Sequence, residues 1–334
     1  MVEMGKVATR TPSYLDAYLE QFREWLTDHS ISEFAINPNG QVWIERAGDA
    51  HMIPVVGEVI DPKKAIDIAQ AIVGDANAKV SKLRPLVSGK VDYQGRPLRV
   101  QVAIPPAVET GASLSIRLFS TQGIANYRAE YLFGEAVSLD QKRRDKMAEV
   151  RQIADKDLNS ALKRLIELRL NILISGGTST GKTTFARHLL GFVGADERII
   201  TIEDAFELFP PQANTVCLLS ERDRDSPRTT DMLLAASLRM RPDRIIVGEL
   251  RGREAITYLE AINTGHGGSI STLHAETAKL AIDRLAIMVL QAGTPLTFAE
   301  VKDYIARSID IIVQLGRADG RRGITELYFP GDET

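Results

Sequence analysis

The feature that most constrains this chain is a glycine-rich segment at residues 176–183, which reads Gly-Gly-Thr-Ser-Thr-Gly-Lys-Thr. It matches the pattern G-x-x-x-x-G-K-[ST] at every fixed position. An apolar stretch at 171–175 precedes the segment, and a helical pattern at 183–192 follows it. A chance glycine turn before a helix is the competing explanation, but the strand–loop–helix context favours a phosphate-binding loop. The segment therefore predicts a site for a nucleoside triphosphate and Mg²⁺ at the end of a buried strand.

Each residue type in this loop has a physical reason. Gly176, Gly177 and Gly181 allow a tight path on which successive backbone N–H groups converge on one anion. Lys182 supplies a mobile positive charge to the β- and γ-phosphates, and the Thr183 hydroxyl can ligate Mg²⁺. The residues expected to bind the nucleotide are Gly176, Gly177, Thr178, Ser179, Thr180, Gly181, Lys182, Thr183 and Thr184.

Strands and helices alternate through the second half of the chain, which indicates a largely parallel sheet with helices on both faces. The predicted strands are 171–175, 198–202, 244–247, 269–273, 309–315 and 323–329. The predicted helices are 157–168, 183–192, 230–240, 253–262, 279–290 and 298–308. We therefore expect an α/β domain at residues 158–334.

The first part of the chain has a different pattern, which predicts a smaller α+β domain at residues 1–119. Its expected helices are 13–28 and 61–73, and its expected strands are 33–36, 41–45, 86–93, 97–104 and 114–119. Asn-Pro-Asn-Gly at 37–40 is a strong turn signal, and Asp61-Pro62 is a helix start. The pattern weakens over 120–157, where a charged run indicates a solvated linker or an exposed helix face.

Charge and cysteine content narrow the class of protein. The chain of 334 residues has a formal net charge of −3 and a pI of about 6.0. Nucleic-acid binders usually carry a basic surplus, so direct sequence-specific binding to nucleic acid is not expected. The lone Cys217 forms no internal disulfide or zinc module, and a small buried hydrophobe in a reducing cytosol is expected. Without an apolar run of roughly 18 residues or an N-terminal signal core, a soluble cytoplasmic protein is predicted.

Acidic residues follow two of the apolar strands, at the edge where an open parallel sheet forms its ligand crevice. Glu249 is expected near Mg²⁺, although a surface glutamate after a strand would show the same pattern. Glu203, Asp204 and Glu207 follow the strand 198–202. Their charges are expected to raise one another's pKa, which suits a base for water, and a solvated acidic loop is the competing interpretation.

Histidines and arginines supply further candidates. His266 and His274 bracket one predicted strand and could sense the γ-phosphate, while a hydrogen-bonded structural histidine is the simpler alternative. Neither cysteine nor a dense acidic cluster accompanies them, which disfavours a metal site. An arginine that faces developing charge would assist phosphoryl transfer, although an arginine on a strand is more often a surface residue. The candidates are Arg96, Arg99, Arg117, Arg239, Arg241 and Arg251.

Four motifs in this order resemble those of the secretion traffic ATPases, over residues 171–290. They are the phosphate-binding loop, the Asp box Glu203-Asp204-x-x-Glu207, the Walker B region from Arg241-Pro242-Asp243 to Arg251, and the His box from Gly265-His266 to His274-Ala275. Asn-Thr-Gly-His-Gly-Gly-Ser at 263–269 is typical of the small hexameric ATPases of type IV secretion and conjugation systems. The chain also lacks the four-cysteine zinc module of many type II secretion ATPases.

The resemblance implies a RecA-like P-loop motor domain that binds ATP and Mg²⁺. It also implies a homo-hexameric ring and, as partners, inner-membrane subunits of a secretion machine. The protein is then expected in the cytoplasm, at the inner face of the cytoplasmic membrane, with membrane association through those partners.

The same resemblance implies roles for single residues. Glu207 would orient or activate the attacking water, and Glu249 would lie beside Mg²⁺. His266 and His274 would couple the γ-phosphate to the neighbouring subunit. Arg117 would reach the nucleotide from the N-terminal domain. The residues implied as catalytic are Lys182, Glu207, Glu249, His266, His274 and Arg117, with Arg99 as a second choice for the arginine.

Three other functions fit part of the sequence. A type IV pilus or type II secretion motor would share the four motifs. A DNA-translocating ATPase would share the phosphate-binding loop, but the acidic pI disfavours it. A small-molecule kinase would need an acceptor pocket, of which the N-terminal domain gives no sign. The sequence therefore favours an ATPase that powers substrate transfer or pilus assembly in type IV secretion.

Overall fold

A computed structural model describes residues 14–119 and 128–332, which form two compact units. Each unit has its own hydrophobic core, built on a six-stranded sheet in the first and a seven-stranded sheet in the second. Residues 1–13, part of the predicted linker at 120–127, and the last two residues lie outside the described parts.

In the first unit, an antiparallel sheet packs one face against three α-helices. The helices are α1 (Tyr14–Leu19), α2 (Arg23–Thr27) and α3 (Pro62–Asp75), with a 3₁₀ turn at Glu20–Phe22. The strands are β1 (Ile31–Ile36), β2 (Gln41–Arg46), β3 (Ile53–Val59), β4 (Leu86–Tyr93), β5 (Arg96–Ala103) and β6 (Ser113–Leu118). Their order across the sheet is β3-β2-β1-β6-β5-β4.

Local sequence signals account for most of this unit. The Asp61 carboxylate accepts hydrogen bonds from the backbone N–H groups of Lys63 and Lys64 at 2.9 and 3.2 Å, which confirms the predicted start of α3. The single helix predicted over 13–28 is wrong in detail, because a 3₁₀ turn divides it. Strand β3 is missing from the prediction because it is an edge strand, and its Val56 side chain is 93% exposed.

In the second unit, every strand pairing is parallel except the last hairpin, which confirms the predicted largely parallel sheet. The strands are β7 (Ile172–Gly176), β8 (Ile199–Glu203), β9 (Thr215–Leu219), β10 (Arg244–Val247), β11 (Ile270–Leu273), β12 (Ile311–Ala318) and β13 (Arg321–Tyr328). Their order is β13-β12-β7-β11-β10-β8-β9, so β7 lies near the centre.

Helices bury both faces of this sheet. They are α4 (Leu139–Ala154), α5 (Leu158–Glu167), α6 (Lys182–Leu190), α7 (Thr230–Ser237), α8 (Glu254–Asn263), α9 (Ala278–Gln291) and α10 (Phe298–Ser308). Ile172 and Ile174 pack with α4, α5 and α6, while Leu173 between them is buried on the opposite face. Across the described ranges, no helix has both the length and the hydropathy needed to span a membrane.

The sequence prediction gives no bounds for two elements of the second unit. One is helix α4, which confirms the exposed helix face, one of the two interpretations of the charged run within 120–157. Ser138 caps helix α4, and its hydroxyl accepts a hydrogen bond from the backbone N–H of Gln141 at 3.2 Å. Only Met147 and Val150 of its sixteen residues are buried, so its apolar pattern is weak. The other element is the edge strand β9. Its Cys217 is half-buried, and the expectation of a buried cysteine is wrong because β9 pairs on one side only.

Candidate nucleotide-binding site

The phosphate-binding loop joins the carboxyl end of β7 to the first turn of α6, at the edge where β8, β10 and β11 also end. A cavity of about 880 Å³ opens at this edge. The residues singled out from the sequence that line it are Ser179, Gly181, Lys182, Thr183, Thr184, Glu203, Asp204, Glu207, Glu249, Arg251 and His274. One cavity thus collects residues that lie far apart in the chain.

The loop has a backbone path that only certain residues permit. Ser179 and Gly181 lie in the left-handed region, with φ of 61° and 92°. A Cβ atom on Gly176 would lie 2.5 Å from Thr180 Oγ1 and 2.8 Å from the Leu315 carbonyl oxygen. Because neither distance is sterically possible, Gly176 is required for this loop to pack against β12.

Lys182 is buried at the first turn of α6, and its ammonium group faces the loop. Its Nζ donates to the carbonyl oxygens of Gly176 and Gly177, both at 2.9 Å, and lies 3.2 Å from His274 Nδ1. Burial lowers the pKa of Lys182, and the negative charge of Glu249 opposes this shift. The ammonium group is therefore held at the loop by contacts that a phosphate oxygen can replace.

His274 connects the lysine to the carboxylate that follows β10. Its Nε2 lies 3.2 Å from Glu249 Oε1. Because the ammonium group of Lys182 only donates, His274 Nδ1 accepts and the ring proton lies on Nε2, which donates to Glu249. Burial lowers the pKa of His274, which favours this neutral ring, while Glu249 opposes the shift. Lys182, His274 and Glu249 thus form one hydrogen-bonded path.

Arg251 extends this path along the cavity. It lies 2.6 Å from Glu249 Oε2 through one guanidinium nitrogen and 3.1 Å from Asp204 Oδ2 through the other. Asp204 also pairs with Arg222. Burial raises the pKa of Asp204, but the two arginines outweigh burial and the pKa is lowered. The prediction that three neighbouring acids raise one another's pKa is therefore wrong for Asp204.

The other two acids after β8 have different surroundings. Glu203 is buried and accepts hydrogen bonds from Thr201 Oγ1 at 3.1 Å and from the N–H groups of Glu207 and Leu208 at 2.9 Å. Burial raises the pKa of Glu203, and these hydrogen bonds oppose the shift. Its carboxylate holds the turn after the strand. The Glu207 side chain is exposed and lines the cavity.

Three of the candidate residues lie at the opposite, amino edge of the sheet. His266 precedes β11, its Nδ1 lies 3.2 Å from the Ala261 carbonyl oxygen, and burial lowers its pKa. Arg241 precedes β10 and pairs with Asp243. Arg239 donates to a backbone carbonyl one helical turn earlier, at 2.8 Å. None of these three residues lines the cavity described above.

The candidate arginines of the first unit have local partners. Arg96 is buried and donates to backbone carbonyl oxygens at 2.8 to 3.2 Å, so its guanidinium holds the core together. Arg99 and Arg117 are opposite each other on β5 and β6, and both are exposed. Arg117 lies 3.6 Å from Glu33, and Arg99 lies 5.5 Å from the centre of the Phe119 ring.

Three arginines that the sequence analysis did not single out also line the cavity. Arg222 and Arg228 come from the segment between β9 and α7, and Arg322 comes from β13. No short motif marks them. They belong to the two edges of the sheet, so only the topology brings them to the loop.

A family model described as type II/IV secretion system protein matches residues 21–322. The type IV secretion system protein VirB11 of Bartonella quintana is 33% identical over 346 residues, which cover 98% of this chain and 96% of that protein. The conjugal transfer protein TrbB of Rhizobium radiobacter is 31% identical over 315 residues, which cover 93% of this chain and 87% of that protein.

Among solved structures, the chain is similar to the VirB11 ATPase from the Brucella suis type IV secretion system, determined in complex with sulphate. The TM-score is 0.82 at 29% identity, over 95% of each chain. This likeness confirms the predicted fold class, a RecA-like P-loop motor domain preceded by a smaller α+β N-terminal domain.

Proposed function

The chain belongs to the type II/IV secretion system protein family and is an ATPase of a type IV secretion system. We propose that it hydrolyses ATP in the cavity beside its phosphate-binding loop. The observation that carries this site assignment is the path from Lys182 through His274 to Glu249. These side chains face a cavity of about 880 Å³, so a ligand can reach them. An accessible path of Lys182, His274 and Glu249 suits the transfer of a phosphoryl group to water.

The loop fits the phosphates of a nucleotide. The absence of a side chain at Gly176 and Gly181 lets backbone N–H groups approach an anion closely. Helix α6 begins at Lys182 and directs its partial positive charge toward the loop. We propose that Lys182 exchanges its carbonyl partners for oxygens of the β- and γ-phosphates, with the backbone of residues 176–184 around them.

Thr183 and Glu249 are the residues that we propose for Mg²⁺. Both line the cavity and both offer oxygen, the donor that Mg²⁺ prefers. In residues 14–119 and 128–332, no group of three or more His, Cys, Asp or Glu side chains is arranged to hold a metal ion. Phosphate oxygens and water would complete the coordination. When bound, the ion neutralises negative charge on the β- and γ-phosphates.

We propose that Glu207 orients or activates the attacking water. Its side chain is exposed at the cavity, whereas the Glu203 carboxylate is buried and already accepts backbone hydrogen bonds. Glu249 is engaged by His274 and Arg251, which suits a place beside the metal better than proton abstraction. Glu207 therefore remains the acid best placed to accept a proton from water.

The assembly that we propose is a homo-hexameric ring. Family membership supports this assembly. In the assembled ring, Arg117, whose side chain is 64% exposed, would contribute its guanidinium to the nucleotide site. His274 would pass the state of the γ-phosphate along its path, and His266 would act at the neighbouring subunit. The ring would associate with inner-membrane subunits of the secretion machine, at the cytoplasmic face of the membrane.

A motor for type IV pili or type II secretion is the alternative function. Such a motor would use the same cavity and the same loop. The VirB11 and TrbB relatives favour type IV secretion and conjugal transfer, because the match covers nearly the whole of each protein.

Lys182→Ala tests the site assignment. We expect no measurable ATP turnover and greatly weakened ATP binding by calorimetry with Mg²⁺, because the phosphates lose their buried positive partner. Lys163→Ala is the matched control, since Lys163 is an exposed lysine on α5 and should leave both quantities unchanged. Near-normal hydrolysis by Lys182→Ala would refute the assignment.

A further inference from the structure

One arginine in the nucleotide cavity has no role in the chemistry proposed above. Arg322 lies near the start of β13 and lines the cavity. A Cβ atom built on Gly181 would lie 3.9 Å from Arg322 Cδ, so the side chain reaches the end of the phosphate-binding loop. Elsewhere in the cavity, arginines are paired: Arg251 and Arg222 contact Asp204, and Arg228 contacts Glu221.

Arg322 differs because its guanidinium is uncommitted. Within the described parts of the chain, its side chain has no hydrogen bond or ion pair. It is exposed, and it lies directly across the hairpin from Arg317. Like charges directly opposite each other on neighbouring strands are destabilising. A structural role therefore does not explain this arginine, whereas a ligand that contacts the guanidinium would.

The strand order shows which part of a nucleotide Arg322 meets. His274 and Glu249 follow β11 and β10, on one side of β7, and they mark the end of the cavity that receives the γ-phosphate. Strands β12 and β13 lie on the other side of β7. At about 4.8 Å per strand, β13 is about 10 Å from β7. A triphosphate bound with its γ end toward His274 directs its nucleoside end toward Arg322.

We propose that the Arg322 guanidinium stacks on the nucleobase of bound ATP and thereby favours purine nucleotides. The planar guanidinium stacks on flat rings, and bases are commonly bound in this way. The proposal rests on the ATP site assigned above and adds a binding residue at its nucleoside end. Arg322 takes no part in phosphoryl transfer.

The hairpin provides a matched control. Asp319 and Gly320 form its turn, with φ of 50° and 76°. Arg321 directly follows this turn and is exposed, but it does not line the cavity. Because successive side chains on a strand point to opposite faces, Arg321 and Arg322 differ in direction while sharing charge and exposure. Arg321→Ala therefore reports any general effect of removing one positive charge.

The test measures binding of ATP, CTP and inorganic tripolyphosphate, each with Mg²⁺, to the full chain by calorimetry. We expect Arg322→Ala to weaken ATP binding roughly tenfold, the size of one lost stacking contact. CTP should be affected less, so the preference for ATP over CTP shrinks. Tripolyphosphate binding should stay within about twofold, because it has no base. Arg322→Lys should not restore ATP binding, since lysine has the positive charge but no planar group that can stack on a base.

Other outcomes would overturn the inference. Equal weakening of ATP and tripolyphosphate by Arg322→Ala would show a phosphate contact. Full recovery with Arg322→Lys would show a charge contact, and unchanged ATP binding would show no contact. If the unmodified chain bound neither ATP nor tripolyphosphate, the ATP site itself would be refuted. A melting temperature for Arg322→Ala that is no lower than that of the unmodified chain confirms that folding is intact.

Discussion

The two edges of the motor sheet each carry a charged cluster, and the clusters are built differently. At the amino edge, Glu197 pairs with Arg244 at 2.7 and 2.9 Å and with Arg169 at 2.6 Å. The side chains of Glu197 and Arg244 are 10% and 2% exposed. At the carboxyl edge, the side chains of Glu249 and His274 are 18% and 31% exposed, and both face the cavity.

The difference shows how the same residue types take structural or chemical roles. The remaining donors of Arg244 reach the carbonyl oxygens of Gly268 and Ile166 at 3.1 and 2.9 Å, so its buried charge is fully paired. Lys182, by contrast, is held by loop carbonyls that a ligand can replace. A closed cluster fixes the sheet, whereas an open one leaves contacts for a substrate. Access from the cavity therefore separates the two roles, because Lys182, His274 and Glu249 line it and the buried Glu197–Arg244 pair does not.

The largest expected effect is on turnover at the open edge. We expect Glu207→Gln to lower kcat by about 100- to 10,000-fold, the range for loss of a general base, while ATP binding and the melting temperature stay unchanged. Steady-state hydrolysis, calorimetry and thermal unfolding measure these three quantities. Glu249→Gln is the comparison variant and should also weaken binding of ATP with Mg²⁺. If Glu249→Gln alone keeps binding and loses turnover, the roles of the two glutamates must be exchanged.

The second effect concerns stability at the closed edge. We expect Glu197→Gln to lower the free energy of unfolding by about 3–5 kcal/mol, because the buried charge of Arg244 is left without its partner. Urea unfolding measures this loss. Glu167→Gln is the matched control, since Glu167 pairs on the surface of α5 and should change stability by less than about 1 kcal/mol.

This stability prediction also has a functional side. The protein that remains folded after Glu197→Gln should hydrolyse ATP at close to the original kcat, because Glu197 does not line the cavity. A selective loss of kcat with normal stability would show that the closed cluster takes part in turnover. The amino edge of the sheet would then have a role in chemistry as well as in stability.

The sequence predicts the parts of this site that depend on local chain geometry. The loop, Lys182 and Thr183 lie in one motif. His274 directly follows a predicted strand, and Glu249 follows another after one glycine. Parallel strands present their carboxyl ends at one edge, so placing these residues together needs only the alternation of strands and helices. The same reasoning predicts the central strands of the sheet, which are buried and continuous in apolar sequence.

What the sequence does not predict depends on edge elements. Strand β9 is half-buried, and its approach brings Arg222 to Asp204, which reverses the expected pKa shift of that acid. Arg322 reaches the loop only because the C-terminal hairpin adds to the far edge. Arg96 has the pattern of a surface arginine but is buried among backbone carbonyls. In each case the contact depends on tertiary packing rather than on neighbouring residues.

The smallest effect concerns pH at the closed edge. Burial raises the pKa of Glu197, but Arg244 and Arg169 outweigh burial and hold it below the ordinary value of 4.5. A carboxylate with a lowered pKa in the folded state contributes stability above its unfolded pKa, and that contribution is lost as the pH falls through the folded pKa. Because glutamine has the shape of the protonated acid and no charge, Glu197→Gln lacks this pH-dependent contribution.

The gap in unfolding free energy between the unmodified chain and Glu197→Gln should therefore be constant near neutral pH and narrow below about pH 4.5. Urea unfolding of both proteins across this range measures the gap. Glu167→Gln, whose carboxylate is exposed, should show only a small gap at every pH. A gap for Glu197→Gln that stays constant to the lowest pH would show that packing, rather than the paired charge, makes this edge rigid.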